Sequence, residues 1–102
     1  MYSINVFGYI PEKKFREFKQ NLKQMISQQN SDMIKTSISR DVVIEDLYQV
    51  NISFKDKESM FSFIKSEDYA MISGSFKVLG MLKETKVRKC SDLEIKNSDN
   101  DN

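Results

Sequence analysis

Hydrophobic and polar positions alternate along the start of the chain. Tyr2, Ile4, Val6, Gly8 and Ile10 fall on one side of the alternation, and Ser3, Asn5, Phe7 and Tyr9 on the other. A period of two predicts a strand over residues 2–10. Both sides carry large apolar groups, more than a strand with one wet face requires. Gly8 marks either a bulge or a place where another group comes close to the backbone. Pro11 ends the strand and suits a first helical position. The period then lengthens. Phe15, Phe18, Leu22, Met25 and Ile26 recur at helical spacing, with Lys, Arg, Glu and Gln on the outer face. The polar run Gln28-Gln29-Asn30-Ser31-Asp32 stops this helix.

A second strand follows over 33–40, with Ile34, Thr36 and Ile38 in phase. Residues 41–46 form a turn, and Val42-Val43-Ile44 offer an extension to either flanking strand. A third strand covers 47–54. It sets Tyr48, Val50, Ile52 and Phe54 on one face and Leu47, Gln49, Asn51 and Ser53 on the other. Asp56 is placed as an N-cap, where a carboxylate accepts from unpaired helix-end N–H groups. The helix behind it is expected to bury Met60, Phe61 and Ile64. Ser66-Glu67-Asp68 reads as a break and a second N-cap, after which Tyr69, Ile72, Phe76 and Leu79 resume the helical period. Gly80 is placed as a C-terminal cap. A last strand over 82–91 carries Leu82, Thr85, Val87 and Cys90 among charges.

The order strand, helix, strand, strand, helix, strand defines an α+β domain with the β-α-β-β-α-β layout of a ferredoxin-like fold. Two right-handed crossovers then give a four-stranded antiparallel sheet with its helices on one face. The Ile4/Val6 side of the first strand must lie under the helices. Phe7 and Tyr9 are left on the uncovered side. An apolar sheet face of that kind marks an interaction surface, and two copies packed face to face cover it symmetrically. The expected assembly is therefore a homodimer, with Asn5, Phe7, Tyr9, Gln49 and Asn51 at its interface. The three amides are expected to hydrogen-bond across it.

Composition narrows the functional classes. The 102 residues form one domain over 1–91, followed by a polar tail over 92–102. No apolar run approaches the ~20 residues needed to span a bilayer, and Met-Tyr-Ser-Ile-Asn has no signal-peptide character. One cysteine, Cys90, excludes an intrachain disulfide and fits a cytoplasmic location. There is no His. That removes the commonest metal ligand and the usual general base near neutral pH, so no metal site and no cofactor is expected. The tail's four acids against one lysine leave the body at about +4 by counting, too small a charge to argue a nucleic-acid partner.

The second half carries a further pattern. Ile52-Ser53-Phe54-Lys55-Asp56-Lys57-Glu58-Ser59-Met60 runs from strand through an aromatic strand end and a short link to a helix start. Ser66-Glu67-Asp68-Tyr69 is a mid-helix break followed by an aromatic, and Arg40-Asp41 close the second strand. Together these resemble the antibiotic-biosynthesis-monooxygenase-like family of dimeric α+β barrels. The resemblance implies a sheet-to-sheet homodimer with an apolar pocket in each subunit between sheet and helices. Some members oxidise aromatic polyketides without a cofactor, and others bind and degrade haem. The haem-degrading members use an Asn on strand one, a Trp on helix two and an iron-ligating His. The matching positions here hold Val6, Phe63 and Ser73, so haem degradation is not implied.

Under this resemblance Val6, Phe18, Phe54, Phe63, Tyr69, Ile72 and Phe76 line a pocket for a small apolar molecule, fatty-acid-like or aromatic. The same residues serve equally as a plain core. Tyr69 is the one polar candidate, as an anchor for a ligand oxygen. An enzyme built this way is a cofactor-independent, monooxygenase-like oxidoreductase. The alternative is a non-catalytic binding or sensing protein on the same scaffold. A third reading, single-stranded RNA binding on Phe7 and Tyr9, lacks the aromatic pattern on strand three that such sheets use.

Overall fold

A computed structural model describes residues 2–27 and 33–89. Its elements are β1 (Tyr2–Tyr9), α1 (Phe15–Ser27), β2 (Met33–Arg40), β3 (Leu47–Phe54), α2 (Lys57–Ile64), α3 (Glu67–Leu79) and β4 (Met81–Lys89), with a 3-10 turn at Glu12–Lys14 ahead of α1. The sheet order is β2-β3-β1-β4 and every pairing is antiparallel. This is the ferredoxin-like layout that the element order predicts. The stop after α1, Cys90 and the polar tail lie outside the described residues.

β1 sits at the centre of the sheet and fixes its parity. Ile4 pairs with Ile52 on β3 and Val87 on β4, and Val6 pairs with Val50 and Thr85. Partners in an antiparallel ladder share a face, so these rows all point to the helices. Ile4, Val6, Ile10, Val50, Ile52 and Phe54 are fully buried there against Phe18, Leu22 and Met25 of α1 and Ile72 and Phe76 of α3. Burial of one such side chain is worth ~1.5–3 kcal/mol, which makes this layer the main source of stability.

Caps set the helix boundaries. The Asp56 carboxylate accepts the Ser59 N–H at 2.8 Å, and this bond, with the Ser59 hydroxyl, holds its pKa below the usual carboxylate value. Ser66 Oγ accepts the Tyr69 N–H at 3.3 Å and donates to the Phe63 carbonyl at 2.6 Å, which makes the break between α2 and α3.

Three placements differ from the sequence expectation. Phe61 is largely exposed, beneath the Lys57 ammonium, and Phe63 takes the core position beside Met60. An eight-residue helix is too short for its period to settle the inward face. Val42-Val43-Ile44 extend neither strand and form the tip of the β2–β3 loop. Pro11 precedes the 3-10 turn, its carbonyl accepting the Lys14 N–H at 2.9 Å, instead of opening α1 itself.

Two glycines lock β1 to α3. β1 bulges against β4 between Phe7 and Gly8. A Cβ on Gly8 would lie 2.3 Å from the Phe76 ring and 2.7 Å from the Met81 carbonyl oxygen. A Cβ on Gly80 would lie 1.8 Å from the Tyr9 carbonyl oxygen. Gly74, inside α3, has open space above it. Gly8→Ala and Gly80→Ala should therefore each destabilise the domain by about 1–3 kcal/mol or more in chemical denaturation. Gly74→Ala should stabilise it by about 0.5–1 kcal/mol through helix propensity.

Candidate functional site

The seven residues expected to line a pocket come from five elements and meet in one cluster. Val6, Phe18, Phe54, Ile72 and Phe76 are fully buried, Phe63 nearly so, and Tyr69 packs at the cluster's edge. The Phe18 and Phe76 rings lie 4.6 Å apart between centroids, Phe54 and Phe63 lie 5.3 Å apart, and Phe63 meets Tyr69 edge-on at 6.2 Å. These spacings fall in the range of favourable aromatic pairs. The rings occupy one another's space, so an open ligand chamber along this set requires a side chain to turn aside.

The cluster has a hydroxyl pair at its border, besides the Asn21–Ser75 bond between α1 and α3 at 3.3 Å and the buried, unpartnered Thr36 hydroxyl on β2. Tyr69 Oη lies 2.7 Å from Thr85 Oγ1 on β4. The Ser66 cap positions Tyr69 in the first turn of α3, and the Val6–Thr85 pairing turns Thr85 toward the helices. Val87, one step further on the same face, is 47% exposed although its row partner Ile4 is fully buried. The helical layer therefore stops short of the end of β4. Tyr69, Thr85 and Val87 lie along this uncovered stretch of the edge strand, and Lys89 follows on the same face with its ammonium 5.8 Å from the Tyr2 ring. Thr85 was visible to sequence reasoning only as a strand residue. Its alternation with Leu82 and Val87 carries no information about which helix residue faces it.

The residues expected at an interface share the other face of the sheet. Asn5 Nδ2 donates to Asn51 Oδ1 at 2.7 Å, and Gln49 Nε2 donates to the same oxygen. Asn51 Nδ2 donates to the hydroxyls of Ser37 at 3.4 Å and Ser39 at 3.2 Å. The amides thus bond to one another along one sheet, forming a ladder over β1, β3 and β2. Asn5 is only 7% exposed, and its Oδ1 is buried without a partner. Beside the ladder, Phe7 lies beneath the Lys86 ammonium at 5.3 Å, and Phe7, Ser39, Arg40, Leu47 and Gln49 line a hollow of about 160 Å³. The uncovered face is polar at its centre and apolar at the end where Phe7, Tyr9 and Met81 lie.

No family model and no curated protein matches the sequence. Solved structures match the fold. A "putative antibiotic biosynthesis monooxygenase" from Deinococcus radiodurans is similar over 95% of this chain and 97% of its own, with a TM-score of 0.68 and 12% identity. The chain has the fold of that protein. A second structure, described as an antibiotic biosynthesis monooxygenase, is similar over 92% of this chain and 100% of its own, with a TM-score of 0.66 and 7% identity. A conserved protein from Methanosarcina mazei Go1 is similar over 85% and 87%, with a TM-score of 0.67 and 17% identity.

The Tyr69–Thr85 contact has a direct check. Tyr69→Phe and Thr85→Val should each destabilise the domain, and the double-mutant cycle should give a coupling of about 0.5–1.5 kcal/mol. Additive effects would show that the two hydroxyls do not interact.

Proposed function

We propose that this chain is an antibiotic-biosynthesis-monooxygenase-like protein. In this reading it works as a sheet-to-sheet homodimer and binds a small apolar molecule between its sheet and its helices. The observation that carries the reading is the uncovered stretch at the end of β4. There the Tyr69–Thr85 hydroxyl pair stands next to an aromatic cluster and a half-exposed, core-facing Val87. An apolar cleft with a few placed polar groups is the general form of a small-molecule site.

The molecule enters past Val87 and reaches the cluster when the Phe63 ring turns aside from Phe54, and Tyr69 gives or takes one hydrogen bond at its polar end. Binding is the core of the proposal. Its enzymatic extension is oxidation of the bound molecule by dioxygen without a cofactor, with Tyr69 as an anchor for a substrate oxygen. The same geometry serves a non-catalytic binding or sensing protein, and turnover separates the two. The homodimer rests on Phe7, Tyr9 and Met81, which form the apolar end of a sheet face that none of the described helices covers.

Native mass spectrometry and solvent extraction of the purified protein should recover an apolar molecule at one per subunit. cis-Parinaric acid should bind with the same stoichiometry. Tyr69→Phe should weaken that binding roughly fivefold to tenfold, the equivalent of one hydrogen bond of about 1 kcal/mol. Sedimentation at low micromolar concentration should give twice the 12.0 kDa subunit mass, and Phe7→Asp with Tyr9→Asp should give a single subunit at that concentration. Absence of both the recovered molecule and parinaric acid binding overturns the pocket. A monomeric wild type overturns the dimer.

A further inference from the structure

The β2–β3 loop combines two properties that seldom occur together. It is apolar at its tip, and its backbone is fixed. Val42 is 96% exposed, Val43 88% and Ile44 45%. Asp41 Oδ1 accepts the Val43 N–H at 2.8 Å and the Ile44 N–H at 2.6 Å. The Asp41 N–H donates to the Leu47 carbonyl at 2.9 Å, and the Ile10 N–H donates to the Asp46 carbonyl at 2.9 Å. Asp46 holds a left-handed conformation, with φ 63°. The carboxylate and these backbone bonds therefore hold three consecutive β-branched side chains out in water. Turn positions ordinarily carry polar residues, and a run of exposed aliphatic side chains is unfavourable unless something covers it.

The surroundings of the tip indicate what covers it. The flanks are acidic: Asp41, Glu45 and Asp46 stand against Arg40, and Glu12 joins them around a hollow of about 210 Å³. An anionic surface is therefore disfavoured, and an apolar site with a basic rim is favoured. The outer face of α1 provides one. Phe15, Arg16, Lys19, Gln20 and Lys23 line a hollow of about 430 Å³, with the aromatic ring among three cations and Glu17 as the acidic exception on that helix.

Loop and hollow occupy one end of the molecule. The Phe15 ring stacks on Tyr48, just after the loop, at 4.7 Å. A contact in which each copy inserts its loop into the other's α1 hollow can therefore close on a two-fold axis.

We infer that the Val42-Val43-Ile44 tip is a docking key for the Phe15–Lys23 hollow of a second copy of this chain. This contact adjoins the sheet face at Arg40 and Asp41 but uses the loop tip and α1, and it does not rest on the small-molecule proposal. Each loop contributes three aliphatic side chains and an acidic flank, and the two-fold repeats every term. Its small size places it among weak contacts.

Sedimentation equilibrium of the full chain over roughly 10–500 µM tests it. Wild type should associate with rising concentration. Val42→Asp with Val43→Asp should lower the high-concentration mass by a factor of about two or more, because one two-fold contact is lost and, beside a second one, such contacts build a tetramer or an open chain. The variants Glu45→Lys and Lys19→Glu should each weaken association roughly tenfold, and their combination should restore it. Repeating the loop variant in the Phe7→Asp, Tyr9→Asp background separates the two interfaces. Loop-dependent dimers there support the docking key even if the sheet dimer fails.

The inference is overturned if mass is insensitive to the loop variant while circular dichroism shows an intact fold. It is also overturned if the charge pair shows no rescue. Loop-dependent binding to neutral lipid vesicles, with no self-association, would assign the tip to a membrane instead.

Discussion

The structure depends on one seam, where β1 passes beneath the end of α3. Phe76 lies so close to Gly8 that no side chain fits between them, and the Gly80 backbone rests against the Tyr9 carbonyl. These contacts fix the height of α3 over the central strand. The parity of β1 then determines the rest. Ile4 and Val6 point to the helices and carry the β3 and β4 rows with them. Asn5, Phe7 and Tyr9 point away. Because the helices lie on one side, the sheet has one face that is a core and one face left to other uses.

The two faces have different chemistry, and that difference organises the functional account. The helix side is packed with aromatic rings, with the Tyr69–Thr85 hydroxyl pair at its border. The open side is held together at its centre by the Asn5–Asn51–Gln49 ladder and is apolar at one end. A partly buried polar network of this type favours a particular register more than it adds stability. The apolar end supplies area and the ladder supplies direction. A face of this composition suits association between defined surfaces better than unspecific collapse.

Much of this was legible in the sequence, and the limits have physical causes. Strand faces follow from a period of two, so Tyr48, Val50, Ile52 and Phe54 were assigned inward correctly. Asp56 and Ser66 are recognisable caps because short oxygen-bearing side chains satisfy helix-end donors. Gly8 stood out because a glycine inside a strand needs a reason, and the structure supplies both a bulge and a close ring. Periodicity gives a face and does not give a partner. The Tyr69–Thr85 pair and the amide ladder within one sheet were therefore invisible, since both join residues distant in sequence. α2 has too few turns for its period to choose between Phe61 and Phe63. The loop at Val42–Ile44 has strand-like composition, and the Asp41 carboxylate, the loop's backbone bonds and the left-handed Asp46 turn it away from strand.

The central claim is that the uncovered face of the sheet meets the same face of a second copy. Isotope-filtered NOE spectra on a mixture of labelled and unlabelled protein test it most directly. Contacts between copies are expected from the Phe7 and Tyr9 rings to side chains of the facing sheet, and none from the buried Phe18 or Phe54. Intermolecular contacts that leave Phe7 and Tyr9 untouched, or no intermolecular contacts at all, would contradict it.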